Sequence, residues 1–437
     1  MKNLSFTNNE NFLINFISYL VILLPFFLVS GPFLSDLAIS MVSLIFIYFV
    51  FKKKLFYVFN NLYFKIFILF YVYIVLNSFF ININFDSLKI SIFYFRFGFF
   101  VLALIFILEN NENFLRSFLI SLVISYIILI LDGYFEYFNG SNIIGLKTLT
   151  HNRVGSFFGE EAILGSYLSR MFPILFALYI FFRKSFKNQF LDYFFFIIFI
   201  LTETLIFLSG ERTAFFLFNI STFYIIILSP SMRYFKISIF IFSICLISLI
   251  TIFNSSAKYR IIDRTLHQLT EKNQVINNQI DDSFQNNNIK YIFSRQHHEH
   301  YLSAFNIFLD NKLYGIGVKN FRKICKKQKY NYSKLTCSTH PHNSYLQLLS
   351  ETGLFGFLYI FLSLILIIFF SIKQLVYNFN NKKCLDDFQI CIISSFIITL
   401  FPIAPTGNFF NNWLSIVYYL PVGFFIWYKK IKPNFLN

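Results

Sequence analysis

The chain is 437 residues long, 57% hydrophobic and 22% aromatic, and only 13% of its residues are charged. A soluble domain carries about 25% charged residues, so the composition excludes a soluble globular protein and points to an all-α chain that crosses a membrane many times. The formal net charge of +16 does not call for nucleic acid as a partner, because most of it sits in short segments between apolar runs, where positive charge follows membrane topology.

Crossing a hydrocarbon core about 30 Å thick takes about 20 apolar residues. Twelve runs approach that length, at about 12–30, 33–51, 62–81, 88–108, 114–135, 161–182, 190–208, 212–228, 235–254, 353–371, 388–403 and 409–428. The first lacks a small-residue cleavage site and is followed at once by another, so it reads as a retained anchor. With the N-terminus inside, the inner segments hold sixteen Lys and Arg, and the short outer segments hold four: Lys89, Lys147, Arg153 and Arg212. This asymmetry predicts an outer location for the long 255–343 segment and an inner C-terminus. The expected organisation is nine spans over 1–254, an outer loop over 255–343, and a re-entry helix with three further spans over 344–437.

Inside the loop, 258–274 reads as a short helix and 273–288 as a polar, Asn-rich stretch. Residues 294–311 have helical apolar spacing, which Gly315-Ile316-Gly317 breaks, and 319–334 is strongly basic. Between 255 and 340 the chain has 14 basic and 6 acidic residues, a net of +8. Such a surface suits an anionic ligand or the head groups of membrane lipids. Cys245, Cys384 and Cys391 fall in spans or on the inner side, whereas Cys325 and Cys337 share the outer loop. In an oxidising compartment those two can pair; the alternative is two free thiols.

The chemistry concentrates in Thr339-His340-Pro341-His342-Asn343-Ser344-Tyr345-Leu346. Imidazole is the side chain best suited to take a proton from a hydroxyl near neutral pH. Ser344 and Gln347 have capping-box spacing for a helix start, with a break at Gly353 and Gly356 before the tenth span. His342 then sits just ahead of a helix N-terminus, which disfavours a protonated imidazole.

Arg212, at the mouth of the eighth span, is either an anion ligand or an interfacial residue paired with Glu211. Arg295 offers a guanidinium fork that matches phosphate oxygens. His297-His298-Glu299-His300 lacks the i, i+4 histidine spacing of a helical metal site and reads as a solvated helix start. In the segment 151–161, Arg153 is a further anion candidate, and Glu160 or Glu161 would either orient an acceptor sugar or cap the sixth span. Arg96 and Arg170 lie inside spans and need partners. There is no glycine-lysine phosphate loop, nucleophile elbow, Cys-x-x-Cys pair or outer Asp-x-Asp, so the sequence calls for no cofactor and no metal.

His342-Asn343 followed after nine residues by Gly353-Leu354-Phe355-Gly356 resembles the signature of the bacterial O-antigen ligase and polymerase superfamily. Arg295, the helix after it, Gly315-Ile316-Gly317-Val318-Lys319-Asn320-Phe321 and the Ser209-Gly210-Glu211-Arg212-Thr213 stretch are similar to further elements of that family. The resemblance implies an inverting, metal-independent glycosyltransferase at the periplasmic face of the bacterial inner membrane. Its donor would be a glycan on undecaprenyl diphosphate, and its acceptor lipid A–core or another glycan. His342 takes the catalytic role, Arg212 and Arg295 bind the diphosphate, and Arg153, Glu160, Glu161, His340 and Asn343 are candidates for substrate contact. A glycan polymerase and a protein O-oligosaccharyltransferase share this chemistry. A polysaccharide or lipid transporter is the rival of a different class, but it would carry ionisable residues along a path through the membrane, whereas here they gather at one face.

Overall fold

A computed structural model describes residues 6–81, 83–148, 153–186, 189–253, 255–263, 265–266, 294–380, 382 and 384–431, with the backbone alone at 184–186 and 257. His151, Asn152, Arg264 and the Asn-rich 273–288 stretch lie outside the described residues. Among those described, the protein is all-α, and its one β-bridge is the isolated pair Ser141–Lys147. In an apolar solvent every backbone N–H and C=O needs an internal partner, and a helix supplies them within one segment.

The principal helices are α1 (Asn8–Ile22), α2 (Leu24–Ser30), α3 (Pro32–Lys52), α4 (Leu62–Phe80), α5 (Phe85–Phe93), α6 (Phe95–Asn110), α7 (Phe114–Asn139), α8 (Leu164–Phe186), α9 (Gln189–Leu208), α10 (Arg212–Leu228), α11 (Arg233–Phe253), α12 (Arg295–Asp310), α13 (Ser344–Phe379), α14 (Asp387–Thr399) and α15 (Asn412–Ile431). Each of the twelve apolar runs falls on one helix or on two consecutive ones. Among the described residues eight helical segments are long and apolar enough to cross a membrane, and the α1–α2 pair, bent by 50° ahead of Pro25, meets the same test when its two helices are taken together. Helices α10 and α14 are apolar but shorter, at 17 and 13 residues. Of the expected helix over 258–274, the described residues are helical: the turn Ser255–Lys258 widens into a π-helix over Tyr259–Asp263, and Thr265 and Leu266 are again helical, while 264 and 267–274 lie outside the described residues.

Burial separates centre from edge. Over a membrane-length window α8 is 83% buried and the α5–α6 segment 72%, against 22% for α11 and 11% for α13. On α8, Phe172 packs its ring 5.4 Å from Phe199 of α9 and 5.3 Å from Phe218 of α10. On α15, Tyr419 stacks on Phe97 of α6 at 5.8 Å. Offset and edge-on aromatic contacts of this kind stabilise beyond the area they bury. The two arginines within spans both have partners. Arg96 bonds Asp36 of α3 at 2.7 Å, Asn412 of α15 at 2.9 Å and the Phe93 carbonyl at 2.8 Å. Arg170 donates to the Ser166 carbonyl at 3.3 Å and lies within electrostatic reach of Glu211 and Tyr418.

The loop following α11 docks on the break in α13. Gly353 has φ +65°, and Gly315 across from it has φ +68°. Main-chain bonds stitch the two together: Leu354 N to Lys312 O at 2.8 Å, Ile316 N to Ser350 O at 3.0 Å and Gly317 N to Glu351 O at 2.8 Å. The Glu351 carboxylate accepts Phe321 N–H at 3.2 Å. From α4, Tyr73 donates to Thr352 O at 2.5 Å and Asn77 to Tyr314 O at 2.6 Å. The loop also has its own small core of Ala304, Ile307, Ile316, Phe321, Cys325 and Tyr330. Cys325 and Cys337 are bridged, their Cα atoms 5.5 Å apart.

A Cβ at Gly353 would run into the Leu313 carbonyl, and one at Gly315 would lie 2.5 Å from the Glu351 backbone. Added to the cost of a left-handed backbone on a residue other than glycine, roughly 1–3 kcal/mol, this makes Gly353→Ala undock the loop. Limited proteolysis is expected to cut the 295–340 region of the variant first while the helical bundle stays protected. Equal resistance in variant and parent would refute the docking account.

Candidate functional site

His342 is held at the junction of loop and bundle. It precedes α13, whose N-cap is Asn343. The Asn343 Oδ1 accepts the N–H groups of Tyr345 and Leu346, each at 3.0 Å, and its Nδ2 donates to Pro402 O at 2.8 Å. Asn343 is thus a buried structural cap, and the capping box expected from Ser344 and Gln347 does not form. Gln347 instead reaches Glu351 at 3.0 Å, Asn408 at 2.9 Å and the Phe409 N–H at 2.9 Å. The His342 carbonyl accepts Thr406 N–H at 2.8 Å. These bonds hold His342 at φ +56°, a region that residues other than glycine enter only when their surroundings demand it.

Three more imidazoles converge on this ring. The His342 centroid lies 4.1 Å from His340, 5.4 Å from His300 and 5.5 Å from His297. His342 Nε2 meets the Ser338 hydroxyl at 3.1 Å, His300 Nδ1 the Thr336 carbonyl at 2.8 Å, and His297 Nδ1 the Ser294 hydroxyl at 2.7 Å. The expectation of a solvated helix start at 297–300 therefore fails: His300 is fully buried and Glu299 nearly so. The two histidines, three residues apart, share the face of α12 that turns toward the re-entering chain. Among the described residues no group of three or more His, Cys, Asp or Glu is arranged to hold a metal ion.

Electrostatics keep the cluster neutral. Burial, helped by its three neighbours, pushes His342 down to about 3. Burial likewise lowers His340 to about 4, with His300, Arg322 and His297 adding to the effect. His297 falls to about 4 through burial, then through His300 and Arg212. Burial also lowers His300. Arg212 and Arg322 thus act on the cluster from two directions.

Arg153 and Arg260 gather at the turn that leads into Arg212. Gly210, at φ +67°, turns the chain between α9 and α10. Arg153 Nε donates to Ser209 O at 2.8 Å and Arg260 Nε to Gly210 O at 2.9 Å. Arg212 opens α10 and contacts the Thr265 hydroxyl at 3.4 Å. Arg295, two residues before His297, keeps most of its side chain exposed and bonds Glu299 at 3.0 Å through Nε. Of the two, only Arg212 acts on the His297 imidazole, whereas Arg295, on the same helix as His297, turns to Glu299. Burial lowers the Arg153 guanidinium, opposed by Glu211.

Glu211 is not the partner of Arg212. Its carboxylate accepts the Gly165 and Ser166 N–H groups at 2.6 and 3.0 Å, so it is Glu211, not Glu160 or Glu161, that closes the start of α8. Glu160 and Glu161 are exposed in the preceding loop. Buried Asp132 and Glu136 on α7 hold the 153–158 segment in place: Glu136 accepts Gly155 N–H at 3.1 Å and Ser156 N–H at 2.5 Å, and Asp132 accepts the Ser156 hydroxyl at 2.5 Å. Sequence reasoning missed these two carboxylates, Arg260, and the role of His297 and His300. The only signal for the histidines was their i, i+3 spacing.

Residues 194–361 match a family model described as O-antigen ligase. That segment contains Arg212, Arg295, the four histidines and the Gly353 break. No curated protein matches the chain.

The depressed histidines set an acid limit for the loop. An unfolded imidazole takes its proton near 6.5, whereas these hold out to about 4 or 3. The unfolded state therefore binds more protons as pH falls below 6.5, and stability declines until the folded values are reached. Asp310, lowered by Lys329 and then Tyr330, contributes with the same sign. Hydrogen exchange, corrected for its intrinsic pH dependence, is expected to show residues 295–343 losing protection between about pH 6.5 and 4, ahead of α8. Unchanged relative protection across that range would contradict it.

Proposed function

We propose, on the match of residues 194–361 to the O-antigen ligase family, that the protein is a membrane glycosyltransferase that moves a glycan from undecaprenyl diphosphate onto lipid A–core at the periplasmic face of the bacterial inner membrane. The reaction inverts the sugar and uses no metal. The observation that supports this reading is the imidazole cluster at His342, whose ring lies 5.5 Å from His297, with Arg212 acting on His297 across the junction of loop and bundle.

An acceptor hydroxyl attacks the anomeric carbon and displaces the diphosphate, so one C–O bond forms as the other breaks and the configuration inverts. The hydroxyl proton goes to His342. When Nε2–H is donated to Ser338, the lone pair remains on Nδ1, and the bond at 3.1 Å fixes the ring's orientation. In the resting protein this imidazole is neutral but weakly basic, at about 3. A bound diphosphate supplies negative charge that favours the protonated ring. The donor thus raises the basicity of its own catalyst, bringing it toward the range where a general base is effective. Charge that develops on the departing diphosphate is met by Arg212 and Arg295, with Arg153 and Arg260 behind them. Donors aimed at developing charge are each worth about 10²–10³ in rate. Membrane lipids seat the carrier's isoprenoid tail beside the helices.

The test uses a strain lacking the gene, complemented with variants and examined by gel electrophoresis of its surface glycolipids. The parent gene is expected to restore lipid A–core capped with glycan chains. His342→Ala should abolish capping although the protein inserts normally, and Arg212→Lys and Arg295→Lys should each lose most of it, because an ammonium cannot make the bidentate contact. His340→Ala is expected to be milder. Caps limited to a single repeat in the deletion strain would instead identify a polymerase, and normal capping by well-expressed His342→Ala would overturn the assignment of the base.

A further inference from the structure

We propose that His297 is a second catalytic imidazole, a neutral hydrogen-bond donor to the departing diphosphate. The inference rests on the glycosyl-transfer reading above, but its geometry stands apart from the base. Ser294 is the N-cap of α12, and its hydroxyl oxygen accepts the His297 backbone N–H at 3.3 Å. The same hydroxyl lies 2.7 Å from His297 Nδ1. Its one hydrogen has no other acceptor among the described residues, so it is donated to Nδ1. That bond fixes the tautomer with the proton on Nε2.

The ring is half-buried, and among the described residues no hydrogen bond occupies Nε2. The nitrogen is left for a ligand beside His342, whose ring centroid is 5.5 Å away, within the electrostatic reach of Arg212. A neutral donor suits this position. A second imidazolium 5.5 Å from His342 would oppose proton uptake by the base, whereas a neutral N–H stabilises the phosphate oxygen without that repulsion. The balance of the step is simple. The anomeric C–O bond to phosphate breaks, and its electron pair stays on the phosphate oxygen. The acceptor proton moves to His342, and the His297 proton remains on Nε2 throughout.

The experiment measures steady-state transfer by purified protein in lipid nanodiscs and, separately, binding of undecaprenyl diphosphate to the same samples. His297→Ala is expected to lower kcat about 10²-fold and leave KM for the acceptor within about threefold; His297→Gln, which keeps an N–H donor, should recover at least tenfold of that loss. Ser294→Ala, which frees the tautomer, should cost several-fold in the parent and nothing further in His297→Gln. Both histidine variants should bind undecaprenyl diphosphate more weakly than the parent. Turnover of His297→Ala within twofold of the parent, or equal loss in the Ala and Gln variants with unchanged undecaprenyl diphosphate binding, would overturn the proposal. If the parent itself transfers no glycan, the reading of function fails, while the binding comparison still decides whether His297 contacts a diphosphate.

Discussion

Everything near His342 depends on a short seam of main-chain hydrogen bonds. Residues 312–317 and 350–354 bond to one another through glycines that both adopt left-handed backbones. This contact fixes the loop to the bundle at one edge, and the Asn343 cap fixes it at the other. Between the two anchors runs the first part of α13, whose buried Gln347 and Glu351 face the 408–409 turn and the loop backbone. A left-handed turn can approach another backbone this closely only without a Cβ. The spacing from His342 to Gly353 therefore records a distance: the length of helix needed to carry the chain from the imidazole cluster to the docking seam.

The fold was largely legible because membrane helices announce themselves. Runs of Phe, Ile and Leu long enough to cross a bilayer can do little else, and the break at Gly353 was visible as glycine within an apolar run. The details of the ends were not legible. Ser344 and Gln347 have the spacing of a capping box, but Asn343 sits one residue earlier and can accept two N–H groups while reaching Pro402. Gln347 is drawn inward by partners some sixty positions away, which no local rule anticipates. In the same way Glu211 looked like the mate of Arg212, yet the open start of α8 competes for it more strongly.

The candidate site was legible in part for a related reason. His342 and Arg212 stood out as polar residues beside apolar runs, and Arg295 through a guanidinium fork that matches phosphate and through the family resemblance. His297 and His300 did not, because a histidine in a polar segment is cheap unless something buries it. Burial came from tertiary structure: the bridge between Cys325 and Cys337 and the small core around it press the 336–342 segment against α12. Four imidazoles packed together remain neutral, and the positive charge beside them is carried by guanidinium groups, which do not release protons. In the proposed reaction two tasks would be separate, with permanent charge on the arginines and the exchanging proton on His342.

The Arg96 cluster has a consequence for how the molecule is made. Its guanidinium joins Asp36, from the start of the third helix, to Asn412, from the last. Trp413, beside Asn412, donates to Leu28 O at 3.0 Å. The most buried helices, α8 and α6, are covered by α14 and α15. Polypeptide emerges from the ribosome in order, so the early helices wait in the bilayer with their inner faces against lipid until the final two arrive. Until then Arg96 lacks one of its three ligands, and the helical scaffold beneath the imidazole cluster stays open. A polypeptide that stops short of Asn412 would therefore insert without the clasp that ties α3 and α6 to α15, leaving the charged groups of its inner helices facing lipid.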